Sequence, residues 1–440
     1  MGAMEGFLAC APTSYWDYII SPHVVSLVAL LPLSALLHIC GGAALWALFL
    51  LPLGCLLTAI MFILLPLPII KPVGGRYHVG VAHIRSRQSQ AMPPLAVFYP
   101  TNEAPRRKGI SYLPFNDARF MSGIASNSKI PLYFLRDFIF VRLQSTENAR
   151  PIPLITSTQL PLPVIVFSHG LYGYHRLYSC LLADLAARGA VVVSVGHCDG
   201  SASFMSDGDA GGPEFPLKQL DWESPACEEA LAQRVLEVRR TVRRLSEEEF
   251  WKGLGFAAAD VDTYLRQPPR VHLSGHSFGG ATALVAALQE EQESAPRASA
   301  VQSVIVFDPW HFPLQRDMFF RPIECGRKSY TTPTLMIQSE EWVHYTPSWD
   351  FFQQLAKLLL SQPSIVSLSE REQRSRFVTE KTGSTNHYSV SDVVLLSPII
   401  HGCTKAVVPP QVQILEWSNT LLRFAKQHTV FAKGPSGSLQ

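Results

Sequence analysis

The segment RVHLSGHSFGGATALVAAL, residues 270–288, constrains the fold more than any other part of the chain. An apolar stretch leads into Gly-His-Ser-Phe-Gly at 275–279 and then into small residues with helical spacing. In Gly-x-Ser-x-Gly, a strained strand-to-helix turn projects the serine hydroxyl, and the glycines leave room for neighbouring backbone. The amide of Phe278 opens the helix and points to where an oxyanion would form. The pattern predicts Ser277 as a nucleophile; the alternative is an ordinary glycine-rich loop.

Strands and helices alternate on both sides of this segment. The alternation predicts an α/β fold with a mostly parallel central sheet and helices on both faces. Together with the Gly-x-Ser-x-Gly turn, it predicts an α/β-hydrolase fold. Apolar runs predict buried strands at 95–99, 162–168, 190–195, 271–273, 303–307 and 334–337. Helical spacing predicts helices at 176–188, at 227–250, after residue 277, near 348–360 and at 411–427.

The N-terminal part is strongly apolar, because no residue between Asp17 and Lys71 is charged. A bilayer core takes about 20 apolar residues per helix, so the run predicts a transmembrane segment at 19–70. It holds two helices, at about 19–39 and 43–66, although a single span stays open. Basic residues follow the run, which places the rest in the cytosol. The expected protein is an integral membrane protein with a tail at 1–18, a catalytic domain at 71–428 and a flexible tail at 429–440; the alternative is a buried hairpin.

Composition excludes some classes of function. The formal net charge is +2, too small for the field that a nucleic-acid partner requires. The eight cysteines show no spacing of metal-ligand pairs, so they predict no metal site. No cofactor is expected either. Residues 129–143, KIPLYFLRDFIFVRL, are mostly large and apolar. They predict either an amphipathic helix in the headgroup layer of a bilayer or a helix packed on the core.

A nucleophilic serine needs a base and a group that orients the base. In this fold the order along the chain is Ser, then Asp or Glu, then His. Asp308 directly follows a predicted strand, at the sheet edge where chemistry occurs in open α/β sheets. His387 lies in the polar loop KTGSTNHYSVSD, whereas the other later histidines lie in less open settings: His311, His344 and His401. We predict Asp308 as the orienting acid and His387 as the base; the alternatives are a turn-capping aspartate and ordinary hydrogen-bonded histidines.

A second oxyanion donor is expected in the loop after an earlier strand. The stretch FSHGLYGYHRLYS, residues 167–179, begins where the predicted strand 162–168 ends. It would bring the amide of Leu171 beside that of Phe278, and Gly170 lets the backbone approach closely. By spacing alone, an ordinary strand-to-helix loop is an equal alternative.

Five blocks in order together resemble the plasma-type platelet-activating factor acetylhydrolase family, the serine-dependent sn-2 phospholipases. They lie at 167–179, 196–203, 274–283, 307–314 and 387–392, and the resemblance covers about residues 71–400. It implies Ser277 as nucleophile, Asp308 as orienting acid, His387 as base and the Leu171 and Phe278 amides as oxyanion hole. It also implies that no metal is needed.

The resemblance further implies a 1-alkyl-2-acetylglycerophosphocholine esterase type of activity. The substrate would be a phospholipid with a short or oxidised sn-2 chain, which a membrane segment would hold near its lipid bilayer. Tyr172 replaces the family's typical glycine and Cys198 its typical arginine, so the acyl-chain preference stays open. Two other functions also stay open: a general carboxylesterase or lipase, and a catalytically silent membrane scaffold or lipid-binding protein.

Overall fold

A mixed sheet of nine strands forms the centre of the molecule. The computed structural model describes residues 56, 68–85, 92–106, 108–129, 132–155, 160–207, 212–218, 225–266, 270–293, 299–396 and 408–429. In chain order the strands of the sheet are β1 (His78–Ile84), β2 (Leu95–Thr101), β3 (Thr146–Glu147), β4 (Val164–Ser168), β5 (Val191–Val195), β6 (Val271–His276), β7 (Val301–Phe307), β8 (Thr334–Ser339) and β9 (Phe377–Thr382).

The strand order across the sheet is β9-β8-β7-β6-β4-β5-β2-β1-β3. From β9 to β5 every neighbouring pair is parallel, so the carboxyl ends of these six strands meet at one edge. Strand β2 is antiparallel to both β5 and β1, while β3 is parallel to β1. Short strands outside this sheet lie at Ile69–Ile70, Ile110–Ser111, Arg142–Leu143, Phe204–Ser206 and Glu214–Pro216.

Helices follow most of the parallel strands. In chain order they are α1 (Ser122–Ser128), α2 (Ser179–Ala187), α3 (Pro225–Arg244), α4 (Glu248–Gly253), α5 (Ala258–Leu265), α6 (Phe278–Glu293), α7 (Phe320–Glu324), α8 (Glu340–His344), α9 (Thr346–Leu360), α10 (Pro363–Val366), α11 (Glu370–Arg376), α12 (Val393–Leu396) and α13 (Pro410–His428). Single turns of 3-10 helix lie at Pro114–Asn116, Ala118–Met121 and Phe312–Leu314, and a longer one at Leu132–Phe140.

The sheet separates two apolar cores. Side chains alternate along β4: Val164 and Val166 join one core, while Ile165 and Phe167 join the other. Helices α3, α6 and α9 cover the first face, and α2 and α13 cover the second. Because both faces are covered, the central strands are apolar without interruption, which is the pattern that the sequence shows.

Two expected helices differ from their predicted form. The single helix expected at 227–250 is two helices, since α3 ends at Arg244 and α4 begins at Glu248. The segment 129–143 forms a 3-10 helix and a short strand, with Leu135, Phe138 and Val141 almost fully buried. This burial favours the core-packing alternative for that segment.

The structure also corrects the membrane prediction. Within the described ranges, no helix is both long and apolar enough to cross a bilayer. Helix α3 has 20 residues, but charged side chains recur along it. This finding contradicts an integral membrane protein with an N-terminal transmembrane segment. The helices predicted at about 19–39 and 43–66 lie outside the described residues.

We expect Leu421→Ala to destabilise the fold strongly. Leu421 of α13 is fully buried in the second core, and a cavity of this kind costs about 2–5 kcal/mol. Urea unfolding would measure the loss. Val412, on the same helix but 53% exposed, is the matched control, and its change to alanine should cost less than about 0.5 kcal/mol. Equal losses for both variants would show that α13 does not pack as described.

Candidate active site

Ser277 occupies a sharp turn between β6 and α6. Its backbone is left-handed, with φ 54°, a conformation that is costly for a residue with a side chain. A Cβ on Gly275 would lie 2.3 Å from the carbonyl oxygen of Gly279, and one on Gly279 would lie 2.0 Å from that of Ser168. Both glycines are therefore required, because backbone passes where a side chain would start.

Asp308 and His387 are hydrogen-bonded to each other. Asp308 follows β7 directly, and its Oδ2 lies 3.2 Å from Nδ1 of His387. Ser339, at the end of β8, donates its amide to Oδ1 at 2.7 Å and its hydroxyl to Oδ2 at 2.6 Å. Three contacts thus fix the carboxylate, and one of them orients the imidazole. The structure brings this predicted pair together from two different strand ends.

The His387 ring packs against two other aromatic rings beside the turn. It stacks on Trp342 with ring centroids 4.2 Å apart and planes at 14°, and it lies 4.4 Å from the ring of His276. Glu341 accepts the His387 amide at 2.9 Å. Since His276 directly precedes Ser277, the imidazole is adjacent to the serine turn. Among the described residues no hydrogen bond joins Ser277 to His387; such contacts commonly tighten only when substrate binds.

A buried carboxylate anchors the loop that carries His387. Asp392 accepts the amides of Ser179 and Cys180, at 2.6 and 2.9 Å, at the start of α2. The hydroxyl of Tyr112 donates to it at 3.1 Å. Burial raises the pKa of Asp392 from 3.8 to about 7. These contacts tie the loop to the helix that follows β4.

The loop after β4 lies directly against Ser277. A Cβ on Gly170 would be 3.3 Å from Cβ of Ser277, which measures how closely this loop approaches. The Gly170 amide donates to the hydroxyl of Tyr178 at 3.0 Å. Tyr172 has a left-handed backbone with φ 59°, and its amide donates to the carbonyl of Ser201 at 3.0 Å. Leu171, between these two contacts, is therefore held near the serine.

A buried polar chain lies behind this loop, and no pattern in the sequence predicts it. His197 contacts Glu237 through Nδ1 at 2.7 Å and Ser168 through Nε2 at 2.7 Å. Burial raises the pKa of Glu237 from 4.5 to about 7 and lowers that of His197 well below its usual value. The chain links α3 to the last residue of β4, from which the loop starts.

In the described part of the chain, neither His311 nor His344 forms a hydrogen bond with Asp308. His311 is buried beside Tyr345 and Phe351, and His344 ends α8. His401 lies outside the described residues. Of the four candidates, the structure thus places His387 against the acid.

Sequence reasoning missed the residues that hold the Asp308–His387 pair: Ser339, Glu341 and Trp342. All three lie at or just after the carboxyl end of β8, the strand beside β7. Their position at the chemical edge of the sheet was a usable signal. The residues that these three contact could not be predicted from the sequence, because the contacts join segments far apart in the chain.

One group of side chains is compact enough to suggest a metal site. Within the described residues, ligand atoms of His276, Asp308 and His387 lie within 4.8 Å of one another. This closeness follows from the Asp308–His387 hydrogen bond and from the packing of His276 on His387. It therefore needs no metal to explain it.

Gly279→Ala should destabilise the protein by at least about 1–3 kcal/mol, because the new methyl group overlaps the Ser168 carbonyl. Thermal unfolding measures the effect. Gly253→Ala is the matched control: nothing lies within 4 Å of its added Cβ at the end of α4. That change should be neutral or slightly stabilising. A tolerated Gly279→Ala would refute the described packing of the turn.

Glu237→Gln should flatten the dependence of stability on pH. The pKa of Glu237 is raised from 4.5 to about 7, so between these values the folded state binds more protons than the unfolded state. Its contribution to stability is full below pH 4.5 and is lost as the pH rises through 7. Urea unfolding at pH 5 and pH 8 should show a smaller decrease for Glu237→Gln than for wild type. Glu229→Gln, an exposed change on the same helix, should keep the wild-type decrease; an equal decrease in all three would contradict the shift.

Comparison with known proteins shows the family of the chain. The model of the family described as platelet-activating factor acetylhydrolase, isoform II, matches residues 67–428. Platelet-activating factor acetylhydrolase of Bos taurus is 32% identical over 184 residues, 36% of this chain and 37% of that protein. The Canis lupus familiaris protein of the same name is 26% identical over 265 residues, 56% of each chain. The matches thus span 37% of the length of the first relative and 56% of the length of the second.

The fold has a solved counterpart. A ferulic acid esterase from Streptomyces cinnamoneus superposes with a TM-score of 0.51 at 19% identity, over 82% of this chain and 92% of that one. At this identity the likeness shows the α/β fold alone. The family model covers most of the chain and every residue of the site described above. The chain belongs to the platelet-activating factor acetylhydrolase family, isoform II type.

Proposed function

We propose that this protein is a serine hydrolase that cleaves the sn-2 ester of phospholipids with short or oxidised acyl chains. The observation that carries the proposal is the Asp308–His387 hydrogen bond of 3.2 Å beside the left-handed turn at Ser277. Nucleophile, base and orienting acid each follow a different parallel strand, in the order that this fold uses. Membership of the family supports the choice of a short acyl ester, since the cow and dog relatives are both named platelet-activating factor acetylhydrolase.

In the proposed mechanism Ser277 attacks the ester carbonyl while His387 takes its proton. Asp308 holds the imidazole through Nδ1 and stabilises the imidazolium that forms. The His387 proton then goes to the departing lysophospholipid oxygen, leaving an acyl-enzyme on Ser277. Water, activated by His387, hydrolyses the acyl-enzyme and restores the serine.

The oxyanion of both steps would lie between two backbone amides. Phe278 is the first residue of α6, and the first amides of a helix have no acceptor within it. Leu171 belongs to the loop that approaches Ser277 through Gly170. Donors aimed at developing charge are worth about 10²–10³ in kcat each.

Acyl-chain preference depends on residues near the serine. Tyr172 is half-buried and keeps a left-handed backbone, the conformation in which glycine is unstrained. Its side chain stands where the family typically has none, next to Leu171. Tyr172 is therefore the first residue to test if chain-length selectivity differs from that of the relatives.

Ser277→Ala should abolish hydrolysis of a phospholipid with an sn-2 acetyl group, lowering kcat by about 10⁴-fold or more. Release of acetate without added calcium, compared with release from the same lipid bearing a long sn-2 chain, is the measurement. Ser274→Ala is the matched control, because this buried hydroxyl in β6 has no hydrogen-bond partner among the described residues; it should keep wild-type kcat.

The two lipids separate the possible results. Selective acetate release that Ser277→Ala loses supports the whole proposal. Equal release from both lipids keeps the serine hydrolase and rejects the short-chain preference. If folded wild type releases neither acyl group and Ser277 does not react with a fluorophosphonate, the proposed function is wrong.

A further inference from the structure

A fully buried arginine lies directly behind the two proposed oxyanion donors. Arg234 belongs to the middle of α3 and has 0% exposure. Burying a guanidinium is costly, and an apolar side chain of similar size usually stabilises a core as well or better. One of its nitrogens, Nη2, has no hydrogen-bond partner among the described residues. Stability alone therefore gives no reason for a charge at this position.

The contacts of Arg234 reach both segments that carry the donors. Its Nη1 donates to the carbonyl of His169 at 2.6 Å, two residues before Leu171. Its guanidinium carbon lies 4.5 Å from the ring centroid of Phe278, within the range of a cation–π contact. One planar group thus touches the loop after β4 and the first residue of α6.

The same guanidinium also fixes the loop from its other side. Its Nε donates to Ser201 Oγ at 2.8 Å and to Asp199 Oδ2 at 3.2 Å. The carbonyl of Ser201 in turn accepts the Tyr172 amide at 3.0 Å. Arg234 therefore holds the loop on both sides of Leu171. It contacts His169 directly and Tyr172 through Ser201.

We propose that Arg234 is a positioning residue that sets the separation and direction of the Leu171 and Phe278 amides. This proposal rests on the proposed function, since it concerns the oxyanion of that reaction. Because the fork of an arginine makes its contacts in one plane, lysine reproduces the charge but not the geometry. The interaction acts through backbone donors that matter most in the transition state, so its loss should lower kcat more than it raises KM.

The test compares Arg234→Met, Arg234→Lys and Arg239→Met in the full chain. Arg239 lies on the same helix and is 7% exposed, but it pairs with Glu290 at 2.6 Å and with Glu293 on α6. Among the described contacts, Arg239 touches neither the loop after β4 nor Phe278 itself. Kinetics on the sn-2 acetyl phospholipid, the rate of Ser277 phosphonylation by a fluorophosphonate, and thermal unfolding are measured for each variant.

Arg234→Met should lower kcat and the phosphonylation rate together by about 10- to 100-fold, with KM unchanged, as expected when donors are misplaced by a fraction of an ångström. Arg234→Lys should recover part of both rates. Arg239→Met should lower the melting temperature while keeping wild-type kcat. This split separates positioning from general stability.

Wild-type kcat in Arg234→Met would overturn the proposal, as would an equal loss of kcat in Arg239→Met. If Arg234→Met does not fold, Arg234→Lys decides: a lowered kcat at unchanged KM supports the proposal, and wild-type kcat refutes it. A wild type that neither hydrolyses the lipid nor reacts at Ser277 would reject the proposed function, and this inference with it. Active wild type with unaffected Arg234 variants would reject this inference alone.

Discussion

The left-handed turn at Ser277 is the constraint around which the neighbouring segments are arranged. Its amide donates to the Phe307 carbonyl at 3.0 Å, and its carbonyl accepts the Trp310 amide at 2.9 Å. These two bonds bracket Asp308, which is itself left-handed with φ 42°. The strained backbones of these two residues lower the stability of the fold. Apolar packing on both faces of the sheet offsets that loss. The position of the serine and that of the acid are therefore coupled through the backbone.

Around this turn, buried polar contacts hold two loops in place, one from each face of the sheet. On one face, Arg234 and Glu237 of α3 lie beneath the loop after β4. On the other, the start of α2 holds Asp392 and, through it, the loop of His387. Each of these two loops at the sheet edge is thus held by buried titratable groups. Such groups are costly to bury, and the hydrogen bonds that Arg234, Glu237 and Asp392 make offset part of that cost.

Tertiary contacts also explain where expectation and structure differ. The apolar spacing of α3 was readable, but it could not reveal that Arg234 and Glu237 point inward, since charged residues usually mark the solvent face. Helix α3 and helix α4 share one periodic pattern, so the break after Arg244 was invisible. The 3-10 geometry of Leu132–Phe140 follows from packing on the second core, where Leu135 and Phe138 are buried.

By itself the sequence determined the strand-turn-helix at Ser277, the alternation that builds the sheet, and the candidates Asp308 and His387. These are local features, because glycine spacing, apolar runs and loop composition act over a few residues. Only the tertiary structure decided that His387 is the histidine that meets Asp308, and that Trp342 stacks on it. Such contacts depend on which strand ends become neighbours in the sheet, and no short-range pattern encodes that order.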